Sequence, residues 1–283
     1  KSHIASHRYI IVVGKSYKMG LSVTEKLYLY DSLTSNPVVR PDGRKPHQFR
    51  PIEVFTDFLP SANGSSRIIA SDGSECIVSI KAKVIDHTVE DELIHVEIDI
   101  AGQRDDSPQV ETMTSLLNNV LEPRGGIDVS KLRLTKRYSF KIFIDVLLLS
   151  SASHPVSLIS MAIHSALNST CLPKLVSSFD DLEVEELPTF HDYDLVRLEL
   201  SAPVVFVAAI VGDSILMDAA AAESEVSNNG LIITWSNGKA ISPIRTVALN
   251  DSDVKGFDPK ILQKAITMVE EYAPDVLRAL NNA

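Results

Sequence analysis

Phe140-Lys141-Ile142-Phe143-Ile144-Asp145-Val146-Leu147-Leu148-Leu149, the loop Ser150-Ser151-Ala152-Ser153-His154-Pro155, and then Leu158, Ile159, Ala162, Ile163, Ala166 and Leu167 at three- and four-residue steps decide how this chain folds. The first run is almost unbrokenly apolar and rich in β-branched and aromatic side chains. That predicts a strand covered on both faces, with Asp145 its one interruption. The spacing of the last set marks one face of a helix. Tyr138 to Asn168 therefore reads as buried strand, loop, helix. N–H groups at a helix start point outward and the dipole there favours anions, so the loop is the first place to look for a ligand.

Working outward, residues 1–18 differ in character from the rest of the chain, and Met19-Gly20-Leu21 reads as a natural start. Lys1 to Lys18 are read as an extension or cloning remnant outside the fold. Residues 19–51 make an N-terminal helix and an extended arm. Ser22-Val23-Thr24-Glu25 is a capping box, the helix runs to about Leu33, and Asn36-Pro37 ends it. The arm Arg40-Pro41-Asp42-Gly43-Arg44 comes next, with positive charge gathered at Arg40, Arg44, Lys45 and Arg50. Ile52 to Leu59, Arg67 to Ala70, Glu75 to Val84 and Leu93 to Ile100 read as strands, with hairpin turns expected at Asn63-Gly64 and Asp72-Gly73. Val110, Met113, Leu117, Val120 and Leu121 keep helical spacing until Pro123 and Gly125-Gly126 break it. Beyond the central unit, Leu195 to Leu200, Val204 to Val211 and Leu231 to Trp235 are further strands, the last turning at Asn237-Gly238 into Ala240 to Thr246. Asp258-Pro259 opens a closing helix striped by Leu262, Ile266, Val269 and Tyr272 and bent at Pro274. The chain reads as α+β, with two strand-rich halves backed by helices, 52–190 and 191–283.

With 283 residues, 45% of them hydrophobic and 23% charged, the chain can bury a large core and is not a disordered protein. A net charge of −10 and a pI near 5.3 make the average surface repel polyanions, so nucleic-acid contact requires a local basic cluster. The two cysteines, Cys76 and Cys171, show no CxxC spacing and suggest neither a zinc site nor a disulfide framework. Tyr9 to Val13 is too short for a signal-peptide core, and no run approaches a membrane span. The expectation is a soluble intracellular chain without membrane contact, in which the sequons at Asn63 and Asn168 are chance matches.

Several residue sets carry candidate chemistry. Ser151 or Ser153 with His154 and Asp145 contain the residue types of a hydrolase triad, but neighbours on one loop rarely converge, and a helix-capping serine with a surface histidine is the plainer reading. His191, Asp192 and Asp194 have metal-ligand chemistry without a second ligand cluster, which fits a polar strand entry. Gly64-Ser65-Ser66-Arg67 offers N–H groups and a cation, either a phosphate nest or a plain turn. The acidic run Asp180 to Glu186 reads as a solvated loop. Glycine-rich nucleotide fingerprints are absent, so no cofactor is implied.

Arg40-Pro41-Asp42-Gly43-Arg44, Asn63-Gly64-Ser65-Ser66, Asp72-Gly73-Ser74 and the strand Phe143-Ile144-Asp145-Val146-Leu147 feeding the central helix together resemble the RNase PH family, throughout Leu21 to Ala283. Within that family, the stretch from Asp180 to Asp192 and Asn229-Gly230-Leu231-Ile232-Ile233-Thr234-Trp235-Ser236 resemble fungal ring subunits of the RNA exosome. The resemblance implies the RNase PH-like fold (ribosomal protein S5 domain 2-like) with two pseudo-repeated halves, and a six-membered ring built with other RNase PH-type subunits. It further implies S1/KH cap subunits on that ring, a catalytic ribonuclease bound to it, and RNA threading its channel for 3′-to-5′ processing and degradation. Nucleus, nucleolus and cytoplasm are the implied compartments.

Active members of the family hold the attacking phosphate on a loop reading Gly-Thr-Arg-Thr or Gly-Ser-Ser and use two aspartates six residues apart. Here Ala152-Ser153-His154-Pro155 occupies the loop. Pro155 removes an N–H donor, and His154 is mostly neutral at pH 7. Asp218 matches the first aspartate, but Ser224 stands at the second and cannot act as carboxylate. Ser153, His154, Pro155, Asp218 and Ser224 are thus expected to form a degenerate site in a non-catalytic subunit that holds no metal and no cofactor. Two alternatives stay open: an active phosphorolytic exoribonuclease, and a protein-only scaffold that never touches RNA. Lys81, Lys83 and Arg104 are the candidates for lining an RNA path.

Overall fold

In the computed structural model, which describes residues 20–122, 127–176, 187–250, 256 and 258–282, the strand-loop-helix unit sits at the centre of the molecule. Its strand, β5 (Tyr138–Ser150), is an inner member of a five-stranded sheet with β1 (Ile52–Thr56), β2 (Gly64–Ala70), β3 (Glu75–Asp86) and β4 (Ile94–Ile100), in the order β1-β2-β3-β5-β4. β5 pairs antiparallel with β3 and parallel with β4. The parallel pair requires a crossover, and helix α2 (Pro108–Leu121) supplies it, burying Val110, Met113, Leu117, Val120 and Leu121 as their spacing predicts. A second sheet has the order β11-β10-β8-β9, from β8 (Val204–Val211), β9 (Ser214–Met217), β10 (Asn229–Ser236) and β11 (Lys239–Val247).

The helix of the central unit, α3 (Val156–Ser169), lies between the two sheets, against β2 and β3 on one side and β8 on the other. That position explains its composition, because a helix covered on both sides is apolar nearly all round. Hydroxyls tie it to the strands on both sides: Ser66 Oγ of β2 donates to Ala162 O at 2.6 Å, and Ser160 Oγ of the helix accepts from Val205 N of β8 at 2.9 Å. The closing helix α5 (Pro259–Asn281) packs on β10 and β11, with Asp258 capping it through Lys260 N. At the other end, α1 (Val23–Thr34) has the expected capping box between Ser22 and Glu25.

Strand β5 corrects the expectation of cover on both faces. Ile142, Ile144, Val146 and Leu148 are buried against the helices, whereas Asp145 and Leu149 on the other face are exposed, Leu149 at 41%. Among the described residues the five-stranded sheet has one open face, and a run of apolar residues does not report which neighbours cover it.

Asn63-Gly64 corrects a second expectation. Gly64 begins β2 rather than turning a hairpin, and Asn63 is tied to β3, its N–H donating to Ile80 O and its Oδ1 accepting from Ala82 N. A Cβ on Gly64 would lie 2.2 Å from Thr170 Oγ1, so glycine is there for the close approach of the end of α3. Gly64-Ser65-Ser66-Arg67 is accordingly ladder-bonded strand with Ser65 and Ser66 buried, not a phosphate nest. The other two turn signals hold: Gly73 has φ 83°, and Asn237 and Gly238 have φ 50° and 85° between β10 and β11.

In chain order, after α3 and before β8, comes a two-stranded ribbon, β6 (Cys171–Leu175) with β7 (Phe190–Arg197). The strand expected over Leu195 to Leu200 starts earlier and ends at Arg197, after which Leu198 N donates to Thr170 O. Residues 1–18, the helix break at Pro123 and Gly125-Gly126, and the acidic run 180–186 lie outside the described residues. No helix among the described residues is long and apolar enough to cross a membrane.

Candidate functional site

The loop after β5 is stitched to the turn between β2 and β3. Ala152 N donates to Ser74 Oγ at 3.0 Å, and Ser150 Oγ donates to Gly73 O at 2.6 Å. Helix α3 then starts on Pro155, with φ −81° and ψ −12° and no side-chain cap. This overturns the plain reading of the loop: Ser153 does not cap the helix, and His154 is not a surface residue. Ser153 Oγ accepts from Arg50 Nη2 at 2.9 Å, while His154 Nδ1 is buried with no hydrogen-bond partner. Burial pushes the His154 imidazole down to about 4, so it is neutral at physiological pH.

The opposite wall comes from the second sheet. β9 ends at Met217, and Asp218 turns the chain into helix α4 (Ala221–Val226) with φ 49°, a left-handed conformation that aspartate tolerates better than most residues. Its carboxylate accepts from Arg50 N at 2.7 Å, from Arg50 Nε at 2.9 Å and from Arg50 Nη2 at 2.6 Å, and Arg44 Nη1 adds a fourth contact at 3.0 Å. Arg50 Nη1 pairs with Asp72. Burial works against the Arg50 charge, but hydrogen bonding and the negative charge of Asp218 outweigh it and hold this guanidinium above its ordinary value. Behind this pair, Arg40 is fully buried and bidentate to Glu223, with Nε–Oε1 at 2.8 Å and Nη2–Oε2 at 2.7 Å. The arm is thereby clamped onto α4, and three of its four cations are consumed inside the molecule.

All five residues expected to form the degenerate site meet. Ser153, His154, Pro155, Asp218 and Ser224 line one cavity of about 180 Å³, joined by Phe49 and Arg50 from the arm and by Leu158, Met161, Val207 and Val276 from the core. Arg50, Asp72 and Phe49 are the site residues that reading the sequence did not single out. The signal was the crowding of arginines into an arm of an acidic chain, which demands carboxylate partners without naming them. Chemically, a carboxylate bound side-on by a guanidinium fills the position an oxyanion would take, and the floor of the site is apolar.

The other candidates do not converge. Asp145 lies on the open sheet face in a separate groove with Glu97, Asp99, Asp105 and Glu111, away from His154, so no triad forms. His191, Asp192 and Asp194 stand exposed on β7, with His191 Nδ1 3.6 Å from Asp194 Oδ2. Among the described residues no three His, Cys, Asp or Glu side chains gather as a metal site. Lys81 and Lys83 are exposed on the open face opposite Phe143 and Lys141. Arg104 lies beyond the other end of β4 and pairs with Asp106 at 2.9 Å. At about 3.3 Å per residue the strand separates the two groups by roughly 20 Å, so they are not one patch.

Ribbon β6–β7 has a different character. Every residue of β7 except Phe190 is exposed, with Tyr193 at 89%, Leu195 at 66% and Val196 at 51%. Among the described residues β7 pairs only with β6, leaving its outer edge open.

Comparison with known proteins gives a consistent result. Residues 48–173 match the model of domain 1 of the 3′ exoribonuclease (RNase PH) family. The chain is 72% identical over 264 residues to the exosome complex component RRP42 of Saccharomyces cerevisiae, covering 93% of this chain and 100% of that protein. It is 29% identical over 251 residues to exosome complex component rrp42 of Schizosaccharomyces pombe, covering 81% and 83%. Two solved structures share its fold at a TM-score of 0.70. An archaeal exosome core is 18% identical, covering 91% of this chain and 96% of that one. An Archaeoglobus fulgidus exosome with RNA bound to the active site is 19% identical, covering 90% and 97%.

Proposed function

This chain belongs to the RNase PH family, and from that premise we propose that it is a ring subunit of the RNA exosome core whose own site performs no chemistry. The observation that carries the non-catalytic reading is the side-on pairing of Asp218 with Arg50. The cation that would attract an attacking phosphate already holds a carboxylate of the same chain, and the carboxylate that would hold a proton or a metal is neutralised by the same contact. Pro155 and Ser224, in the same cavity, lack the donor and the carboxylate that a phosphorolytic centre requires. Removing either group lowers catalysis by about 10²–10³-fold or more in enzymes that stabilise oxyanions, so an active exoribonuclease is the weaker alternative.

The ring role rests on the 72% identity to a named exosome component over nearly the whole chain, and on the ribbon. A two-stranded ribbon with large apolar side chains exposed on it is marginal alone in water, and an open strand edge pairs readily with another chain. The partners of this reading are other RNase PH-type subunits in a six-membered ring, S1/KH cap subunits and a ring-bound catalytic ribonuclease. RNA passes through the channel, met by Lys81 and Lys83 through phosphates rather than base edges. The compartments are nucleus and cytoplasm, with the nucleolus as the place of ribosomal RNA processing. The deciding experiment is native mass measurement of the assembly purified on this chain. A complex with five further RNase PH-type chains is expected; a stable monomer or a homo-oligomer would overturn the reading.

A further inference from the structure

Asparagine followed by glycine is the pair at which a chain most readily modifies itself, because no Cβ hinders the glycine nitrogen from reaching the asparagine side chain. The sequence has three such pairs, Asn63-Gly64, Asn229-Gly230 and Asn237-Gly238, and the fold treats them differently. Asn63 is held at three points: its N–H donates to Ile80 O, its carbonyl accepts from Cys171 N, and its Oδ1 accepts from Ala82 N. Gly64 is buried beside it, paired with Ile80. Asn229 is 2% exposed, and Gly230 lies buried in β10 between β8 and β11. At both pairs the glycine nitrogen reaches the side-chain amide only if a sheet opens. Asn237 and Gly238 are instead the two-residue turn from β10 to β11, and both are exposed. Among the described residues neither the Asn237 side chain nor the Gly238 N–H has a hydrogen-bond partner. The register shift between Ile233 and Thr234 leaves the hairpin tip held by the pairs Thr234–Ile241, Trp235–Ala240 and Ser236–Lys239. A short strand end of this kind opens far more readily than the middle of a sheet.

We infer that Asn237 is a site of self-modification, at which the side-chain amide is lost and the main chain is rerouted through the side-chain carbon. The Gly238 nitrogen gives its proton to solvent and attacks Asn237 Cγ; the new C–N bond closes a succinimide ring, and the side-chain nitrogen leaves as ammonia. Water then opens the ring at one carbonyl to give aspartate, or at the other to give isoaspartate. One water enters, one ammonia leaves, and nothing is oxidised or reduced. The product carries a new carboxylate beside Lys239, and isoaspartate lengthens the main chain inside a two-residue turn. A longer turn disturbs the register of Lys239 and Ala240, and with it the bond from Ala240 N to Glu270 Oε1 that ties β11 to α5. The turn must leave its left-handed geometry, φ 50° at Asn237 and 85° at Gly238, for the attack to occur, so the folded chain reacts more slowly than the unfolded one.

The test ages the assembly purified on this chain for several weeks at mildly alkaline pH, beside the same chain unfolded in urea. Peptide mass mapping reads the conversion of amide to acid at each pair. An isoaspartate-specific methyltransferase, with labelled S-adenosylmethionine, reads the rerouted main chain in the same peptides. In the folded assembly, conversion at Asn237 is expected to exceed that at Asn63 and Asn229 by about tenfold or more, as the difference in local opening allows. In urea the three pairs should convert at similar rates, because the fold no longer separates them. An Asn237 no more converted than Asn63 and Asn229 in the folded assembly, or the same ranking of the three in urea as in the fold, would overturn the assignment.

Discussion

Around Asp218 the charges of the chain find their partners within it: Arg50 and Arg44 converge on one carboxylate, and Arg40 meets Glu223 in full burial. Around Tyr193 the reverse holds: among the described residues the outer edge of β7 is unpaired, and three large apolar side chains are exposed. The first region is the one proposed to correspond to a degenerate phosphorolytic centre, and its charges are closed upon one another. The second gathers its titratable side chains into no site among the described residues. For a molecule of this kind the contrast teaches that unsatisfied surface points to the work better than resemblance of a pocket does. It also separates two kinds of experiment: changes in the first region should act on the stability of the chain, and changes in the second on its assembly.

The largest effect is expected at Glu223. Glu223→Gln keeps the shape but leaves the buried Arg40 guanidinium without its counter-charge, which should lower unfolding stability by about 3–5 kcal/mol. Denaturant titration measures it, and a loss below about 1 kcal/mol would show that the clamp is replaceable.

His154 comes next, through pH. Its folded value near 4 lies below the ordinary imidazole value, so the unfolded chain binds a proton that the folded chain refuses. Stability is therefore fully present above about pH 6.5 and declines as pH falls toward 4, by about 3 kcal/mol from this group. In His154→Leu that decline should be reduced; an unchanged slope of stability against pH over this window would place the titrating group elsewhere.

Ribbon substitutions should show the opposite signature. Tyr193→Asp with Leu195→Asp alters exposed side chains, so the chain itself should unfold within about 0.5 kcal/mol of wild type. Association with partner subunits should nonetheless weaken by about 2 kcal/mol or more, roughly thirtyfold in affinity, as for anchors of an interface. Full assembly at wild-type affinity would remove the ribbon from the interface.

The smallest effect concerns the open face. If Lys81 and Lys83 each neutralise one phosphate of a threaded strand, the Lys81→Ala, Lys83→Ala pair should lower the slope of log affinity against log salt by about 1.4 in the complete assembly. An unchanged slope, with normal assembly, would take RNA away from this face.

Much of this was legible from residue order. The strand-loop-helix centre, the capping box at Ser22, the turns at Asp72-Gly73 and Asn237-Gly238, and the crossover helix after β4 all arise from local periodicity and turn chemistry. The convergence of Ser153, His154, Pro155, Asp218 and Ser224 was legible only through resemblance, because nothing local brings loop 151–155 to the turn after β9. The open face of β5 was not legible, since apolarity reports burial without saying by what. Nor was the role of Gly64, where a turn signal and a close-packing signal are the same residue. The saturation of Asp218 was hidden for a related reason. Its partner Arg50 lies 168 positions away, and a charge shows its partner only in space.

Whether the closed region is silent can be asked directly by incubating RNA and inorganic phosphate with the purified chain, alone and joined to one sister subunit, and measuring released nucleoside diphosphates. None is expected above the level seen without protein. Phosphate-dependent shortening of the RNA that disappears in a folded Asp218→Asn variant would contradict a silent site.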